Sequence, residues 1–439
     1  MNKIRLIIFA SELHDGASVM NTRTGLFDGL RSRIDIETIY PTMLPATSSR
    51  LGRYIDGVNQ KSAVVPNPDG DVLTVCFIAT GGTEEIFRSY LASLPQPVIL
   101  LSDGFHNSFA ASLEISTYLE QHGVERYVFN ASLDYDEEFF DSFVASMRSF
   151  GAASESLASP SESNCAAPAF TRQQSKALSK SKIGIVGGSS SWLISSDIDK
   201  EYISKEYGVT FENIGLEELE KNFGLCDPDN PEVIKLVGKM SRYLASGRTE
   251  EDLSDAVRMY MALRKVASVH NLNALTIKCF GILDSCSTTA CLALAMLNDE
   301  GIVSACEGDI PALWTMLYVR QAFGKPSFMA NPSSSNASEL TIDFAQCTIP
   351  LSMVHGYRLP SHFESQIGIG VAGSVPSGRY HIIKFSGERL DKFYCAEGEI
   401  IMNTNVPQRC RTQVRFKFDS EKDFEGFLST SKGNHVIIF

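Results

Sequence analysis

Glu307 and Asp309 stand on either side of Gly308 at the end of the apolar run 302–306. Side chains alternate along a strand, so two acids spaced this way project in one direction if strand geometry continues through them. Such a pair suits a hard-oxygen site for Mn²⁺ or Mg²⁺, with an imidazole as a further ligand. Asp284, His355 and His362 are the other residues of suitable type. A carboxylate raised by burial or by mutual repulsion can instead hold a proton for acid or base work. The same Glu-Gly-Asp also suits an acidic turn capping a helix over 310–323.

Three further polar clusters follow strand-like segments. Ile78-Ala79-Thr80-Gly81-Gly82-Thr83-Glu84-Glu85 passes from a strand through two glycines into a helix, a place where ligands of parallel sheets sit, or a tight turn with Thr83 as N-cap. His106-Asn107-Ser108 lies beyond the run 98–101 and suits either a polar site or a helix cap. In Ser361-His362-Phe363-Glu364-Ser365 the neighbouring carboxylate can orient the imidazole. Cys279, Cys286 and Cys291 have no base placed beside them and read as buried thiols.

The elements that must position these residues alternate in type. Short apolar runs at 4–9, 72–78, 98–101 and 126–129 are separated by helical stretches at 83–93 and 110–122, the pattern of parallel strands buried on both faces. This predicts an α/β domain over 1–150. The Ser-, Ala- and Pro-rich stretch 151–181 reads as a linker or crossover. A second α/β domain, 182–338, opens on a strand and the polar glycine loop Gly187-Gly188-Ser189-Ser190-Ser191, and contains an amphipathic helix over 250–270. From 339 to 439 short strands are punctuated by Gly, Pro and Asn. The fold class expected is α/β: two doubly wound, Rossmann-like domains followed by an antiparallel β-barrel-like C-terminal domain.

Composition narrows the function. The 439 residues carry 39 Lys+Arg against 52 Asp+Glu, a net charge of −13, with no basic stripe, so nucleic acid is not an expected partner. No apolar run approaches the ~20 residues of a membrane span, and the N-terminus lacks a secretory pattern. A cytoplasmic location is expected, with the ten cysteines reduced. Neither glycine loop has the spacing of a dinucleotide site or a P-loop, which counts against a nucleotide-dependent oxidoreductase.

The run Ile302-Val303-Ser304-Ala305-Cys306-Glu307-Gly308-Asp309-Ile310-Pro311-Ala312-Leu313 resembles the metal-site strand and helix of the L-fucose isomerase and L-arabinose isomerase superfamily, particularly its shorter fucose isomerase-like members. Thr80 to Glu84, His106 to Glu114, Ile183 to Gly188 and Leu359 to Ser365 extend the resemblance in family order over most of the chain. It implies an active site at the domain junctions and between subunits of a homo-oligomer, where Mn²⁺ or another divalent cation such as Mg²⁺ assists interconversion of an aldose and a ketose through an ene-diol. By motif, Asp309 matches an acidic metal ligand and Glu307 lies beside it. The second family carboxylate falls where this chain offers Asp284 without a Glu, and Gln346 stands where shorter relatives often carry His. The resemblance thus implies Glu307 and Asp309 as catalytic groups, Asp309, Asp284 and His362 at the metal, and Glu84, His106, Asn107, Gln346 and His362 around a sugar. The resulting expectation is a sugar isomerase, or a derivative acting on a phosphorylated or acidic sugar. Its alternative is a carbohydrate-binding or regulatory protein that has lost part of the metal site.

Overall fold

The computed structural model describes residues 3–11, 16–39, 72–131, 133, 135–150, 176–430 and 432–439. Most of the Ser-rich 151–181 stretch lies outside them. The first sheet contains β1 (Lys3–Phe9), β2 (Asp35–Ile39), β3 (Leu73–Ile78), β4 (Val98–Ser102) and β5 (Arg126–Asn130), all parallel, in the order β2-β1-β3-β4-β5. The apolar runs read from the sequence form β1, β3, β4 and the edge strand β5, and β4 is buried along its whole length. The more polar β2, Asp-Ile-Glu-Thr-Ile, has no apolar run to announce it and lies at the sheet edge.

The second sheet contains β6 (Lys182–Val186), β7 (Thr210–Ile214), β8 (Ala274–Ile277) and β9 (Val303–Ala305), parallel in the order β7-β6-β8-β9. The helix Glu250–Val269 starts with a capping box between Thr249 and Asp252 and turns its Leu253, Val257, Tyr260, Leu263 and Val266 stripe inward. In both sheets the strand order reverses beside the first strand, which places a crevice beyond the carboxyl ends of β1 and β3, and of β6 and β8.

The C-terminal part is a closed antiparallel barrel of β10 (Phe328–Asn336), β11 (Thr341–Gln346), β14 (Gly378–Ser386), β15 (Lys392–Asn403), β16 (Thr412–Phe418) and β17 (Val436–Ile438), in the order β10-β11-β16-β15-β14-β17. The small sheet β12 (Gly356–Arg358) with β13 (Ala372–Ser374) is separate. The barrel also begins earlier than the boundary at 339. Its first strand holds Asn331-Pro332-Ser333-Ser334-Ser335, which reads as a loop; a register shift between Pro332 and Ser334 accommodates the proline.

Two helices join these units. Ser108–Gln121 packs on β4, β5 and β10, and Ile310–Phe323 packs on β8, β9, β14 and β17. Both are buried on almost every face. Each begins at a strand-end polar cluster, so the residues there are held between a sheet and the barrel. Among the described residues no helix is long and apolar enough to cross a membrane.

Candidate active site

The carboxyl ends of the two parallel sheets meet at one pocket. Gly81, Gly82 and Glu84 come from the loop after β3, and Asn107 from the loop after β4. Trp192, Phe280 and Glu307 follow β6, β8 and β9. Asn331 on β10, Glu364 and Asn434 bring the C-terminal part to the same space. Trp192 and Phe280 meet edge to face with ring centroids 5.2 Å apart, giving the pocket one aromatic wall.

The turn carrying Glu307 is not a continuation of its strand. β9 ends at Ala305, and Glu307 and Gly308 take left-handed φ values of 63° and 74°. A Cβ at 308 would collide with the backbone of Gly188 and Ser189, so glycine is required by both conformation and packing. The glycine loop after β6 grips this turn: Ser190 N–H donates to Glu307 O at 2.9 Å and Ser189 Oγ to Gly308 O at 2.9 Å. Trp192 Nε1 donates to Glu307 Oε2 at 2.8 Å.

These reversed φ values separate the two acids expected to point together. Glu307 lines the pocket, while Asp309 is fully buried at the start of the helix Ile310–Phe323 and accepts from Ala312 N–H at 2.7 Å. Its other oxygen accepts from His435 Nδ1 at 2.9 Å and lies 3.5 Å from Lys384 Nζ. Asp309 therefore caps a helix and orients an imidazole, and both its oxygens are engaged. His435, just before β17, presents Nε2 at 3.4 Å from Glu307 Oε1. Burial would lower the imidazolium, but Glu307 and Asp309 hold it up at about 9. Burial raises both acids, yet the neighbouring cations prevail: Lys384 and His435 bring Asp309 down to about 2, and His435 and Trp192 keep Glu307 below its usual range.

At the other carboxyls of the pocket burial prevails. Glu84 is 1% exposed and its Oε2 has no hydrogen-bond partner. Burial pushes it well above the usual carboxylate range, and Glu114, Glu307 and Glu364 add to the rise. Glu364 is raised to about 8 by burial and then by Glu307, against the Asn107 Nδ2 donor at 3.0 Å. Behind them Glu114, buried under Ser195 N–H at 2.7 Å, is raised to about 7 by burial.

Of the residues expected at the site, Glu84, Asn107 and Glu307 line the pocket. His106 turns its Nδ1 to Arg23 at 3.3 Å, its backbone supporting Gly81. Gln346 lies one layer back, its Nε2 at 3.5 Å from Cys306 Sγ and 3.3 Å from Asn331 Oδ1. His362 is buried against Phe280 and hydrogen-bonds Ser365 Oγ at 2.9 Å, so Ser365 rather than Glu364 orients it. Burial lowers its pKa. Asp284 is exposed on the short helix Leu283–Cys286, outside the pocket, and His355 is also exposed. The described cysteines are free thiols. Sequence reasoning missed His435, Asn434, Trp192, Asn331 and Cys306. The signal at hand was Gly433-Asn434-His435 immediately before the last strand, a polar cluster of the same kind as those after β3 and β4.

The residues able to hold a metal ion differ accordingly from the set Asp309, Asp284 and His362. Cys306 Sγ, a Glu307 carboxylate oxygen and a His435 ring nitrogen all lie within 4.8 Å of one another. His435 Nε2 is buried with no hydrogen-bond partner, and its Nδ1 is fixed by Asp309, the arrangement in which a carboxylate orients a metal-binding imidazole. One thiol, one carboxylate and one imidazole thus fit a divalent ion, with Gln346 and Asn331 behind them.

No family model matches the chain. It is 28% identical over 207 residues to a sulfoquinovose isomerase of Clostridium sp. (strain MSTE9), covering 42% of this chain and 46% of the relative. It is 24% identical over 150 residues to a sulfoquinovose isomerase of Priestia aryabhattai, covering 34% and 33%. A third, from Alkalicoccus urumqiensis, is 26% identical over 168 residues, covering 34% and 38%. The chain spans less than half the length of each of these curated relatives.

Proposed function

We propose that the protein is a sugar aldose–ketose isomerase in which Glu307 and His435, with Cys306, hold a divalent cation beside the pocket. The observation that carries this reading is the buried relay Lys384, Asp309, His435, Glu307, which ends at the pocket on an ionised carboxylate and an oriented imidazole. Partial similarity to proteins named sulfoquinovose isomerase supports the reaction class. When bound, the ion would polarise a sugar carbonyl and its neighbouring hydroxyl and so ease removal of a carbon-bound proton. The thiol among the donors favours a softer ion such as Zn²⁺ over Mg²⁺.

The chain's own residues supply the rest. Asp309 keeps the Nδ1 proton of His435 and leaves Nε2 facing Glu307. Glu364, poised at about 8, can take and return a proton near neutrality, and Glu84 on the same wall is a second proton-holding group. Trp192 and Phe280 offer an aromatic face to the C–H side of a sugar ring and keep water from that side. The test is ketose formation from aldoses by protein stripped with a chelator and then given back Mn²⁺ or Zn²⁺. Activity should vanish on stripping, return with one ion, and be lost in both Glu307→Gln and His435→Gln; turnover indifferent to chelator and to both substitutions would refute it.

A sugar-binding protein without catalysis is the second reading, supported by the single carboxylate among the three donors. It is distinguished by sugar binding that needs no divalent ion and yields no ketose.

A further inference from the structure

Asn434 and His435 follow Gly433, and the seat of that glycine is built by the N-terminal part of the chain. Gly433 N–H donates to Thr117 Oγ1 at 3.0 Å, and that hydroxyl donates in turn to Leu113 O at 2.8 Å, so its proton is committed and a lone pair is left for the turn. Glu114, on the same helix Ser108–Gln121, is fully buried. Gly433 has a left-handed φ of 74°, and a Cβ there would come within 2.8 Å of Glu114 Oε2 and 3.5 Å of Ser195 and Ser196 Oγ. Backbone conformation and close approach both demand glycine.

Glu114 is also tied to the loop after β6. Its Oε1 accepts from Ser195 N–H at 2.7 Å and from Ser196 Oγ at 3.3 Å. That loop carries Trp192, which donates to Glu307, and the helix of Glu114 itself begins beside Asn107. One carboxyl therefore stands where three segments meet, and each segment supplies the pocket with a residue: Asn107, Trp192 and Asn434. Removing it would leave Ser195 N–H buried without its acceptor and open a void beside Gly433, and both effects loosen the turn. The imidazole two residues on would move with it, because the Nδ1 bond to Asp309 and the approach of Nε2 to Glu307 depend on where the turn sets the ring. We propose that Glu114 and Thr117 form a socket that positions the His435 imidazole beside Glu307, acting through the Gly433 turn. The role of that imidazole at a divalent ion rests on the isomerase reading.

The test compares Glu114→Ala, Thr117→Val, Glu114→Gln and Leu119→Ala in the full chain, Leu119 being a residue of the same helix that packs in the core of the first sheet. Two quantities are read: Zn²⁺ affinity by competition with a chelator, and the ring ¹⁵N signals of His435 in protein labelled with [¹⁵N]histidine, assigned with His435→Gln. Glu114→Ala and Thr117→Val should weaken Zn²⁺ binding at least about 10-fold and shift the His435 signals. Thr117→Val, close to the native shape, carries the test alone if Glu114→Ala does not fold. Glu114→Gln keeps the shape and an acceptor for Ser195 N–H, and should restore both quantities. Leu119→Ala should lower the unfolding temperature and leave both unchanged, which separates positioning from a general loss of stability. His435 signals unmoved by the socket variants, Zn²⁺ affinity unchanged in a chain that binds the ion, or equal effects in Leu119→Ala would each overturn the inference. If the unsubstituted protein binds no Zn²⁺ while the socket variants alone move the His435 signals, the socket stands and the ion site of the isomerase reading falls.

Discussion

On one side of the pocket Glu307 and Asp309 share His435, and Asp309 also pairs with Lys384; on the other, Glu364 accepts from the Asn107 amide and Glu84 Oε2 has no hydrogen-bond partner. Asp309 and Glu84 are buried and Glu307 and Glu364 half-buried, and desolvation pushes every one of them upward. What separates them is the partner. Cations outweigh burial on the first side and keep the acids ionised, suited to holding an ion or an imidazole. On the second side burial prevails, and the acids keep protons that a reaction can use. One kind of side chain thus serves two purposes because neighbouring cations outweigh burial for one pair and burial prevails for the other.

Removing an acid should therefore have opposite consequences on the two walls. Asp309→Ala strips the helix cap and leaves Lys384 buried without its counter-charge, so urea unfolding should show a loss of about 3–5 kcal/mol. Glu364→Gln removes a group that keeps its proton when folded but ionises on unfolding at pH 7, so it should instead raise stability there. If both variants lose the same amount, the contrast fails.

Asp309→Asn is the gentler version, keeping a capping oxygen while weakening the hold on His435. Divalent-ion affinity, measured by competition with a chelator, should fall about 10- to 100-fold. Gly308→Ala tests the turn that parts the two acids. With left-handed φ and no room for a Cβ, it should cost about 1–3 kcal/mol in the same unfolding assay.

The pH dependence sharpens the comparison further. Because Glu364 is held at about 8 in the folded chain against 4.5 in the unfolded one, its favourable contribution is whole below 4.5 and is lost as pH rises through about 8. Unfolding measured across that window should show a shallower decline in Glu364→Gln than in the unsubstituted protein. The smallest effect belongs to Asp284→Asn: an exposed residue away from either wall should leave stability within about 0.5 kcal/mol and ion affinity unchanged.

Much of this arrangement was legible in the sequence wherever a local rule decides it. Apolar runs closed by Gly or Ser announce β1, β3, β4 and β5, and the same rule put Glu84, Asn107 and Glu307 at strand ends, where parallel sheets bind ligands. Alternation failed at Glu307 because φ turns positive after Cys306, so Asp309 took the helix-capping role that its position before Ile310 also allowed. β10 was hidden because Pro332 and three serines suit a loop until a bulge and two neighbouring strands accommodate them. His435 and Glu364 are long-range facts: each reaches the pocket only when the C-terminal part closes onto the two sheets. No spacing within the chain announces such closure, which is also why Asp284, close to the site in sequence, is absent from it in space.

The contrast between the two walls is tested most directly by a ¹³C NMR titration of the glutamate side-chain carboxyls, with Glu364→Gln and Glu307→Gln assigning the signals. Glu364 should titrate near 8 and Glu307 below the ordinary 4.5. A Glu364 signal that titrates in the ordinary range, alongside Glu307, would contradict the division of the pocket into an ionised wall and a protonated one.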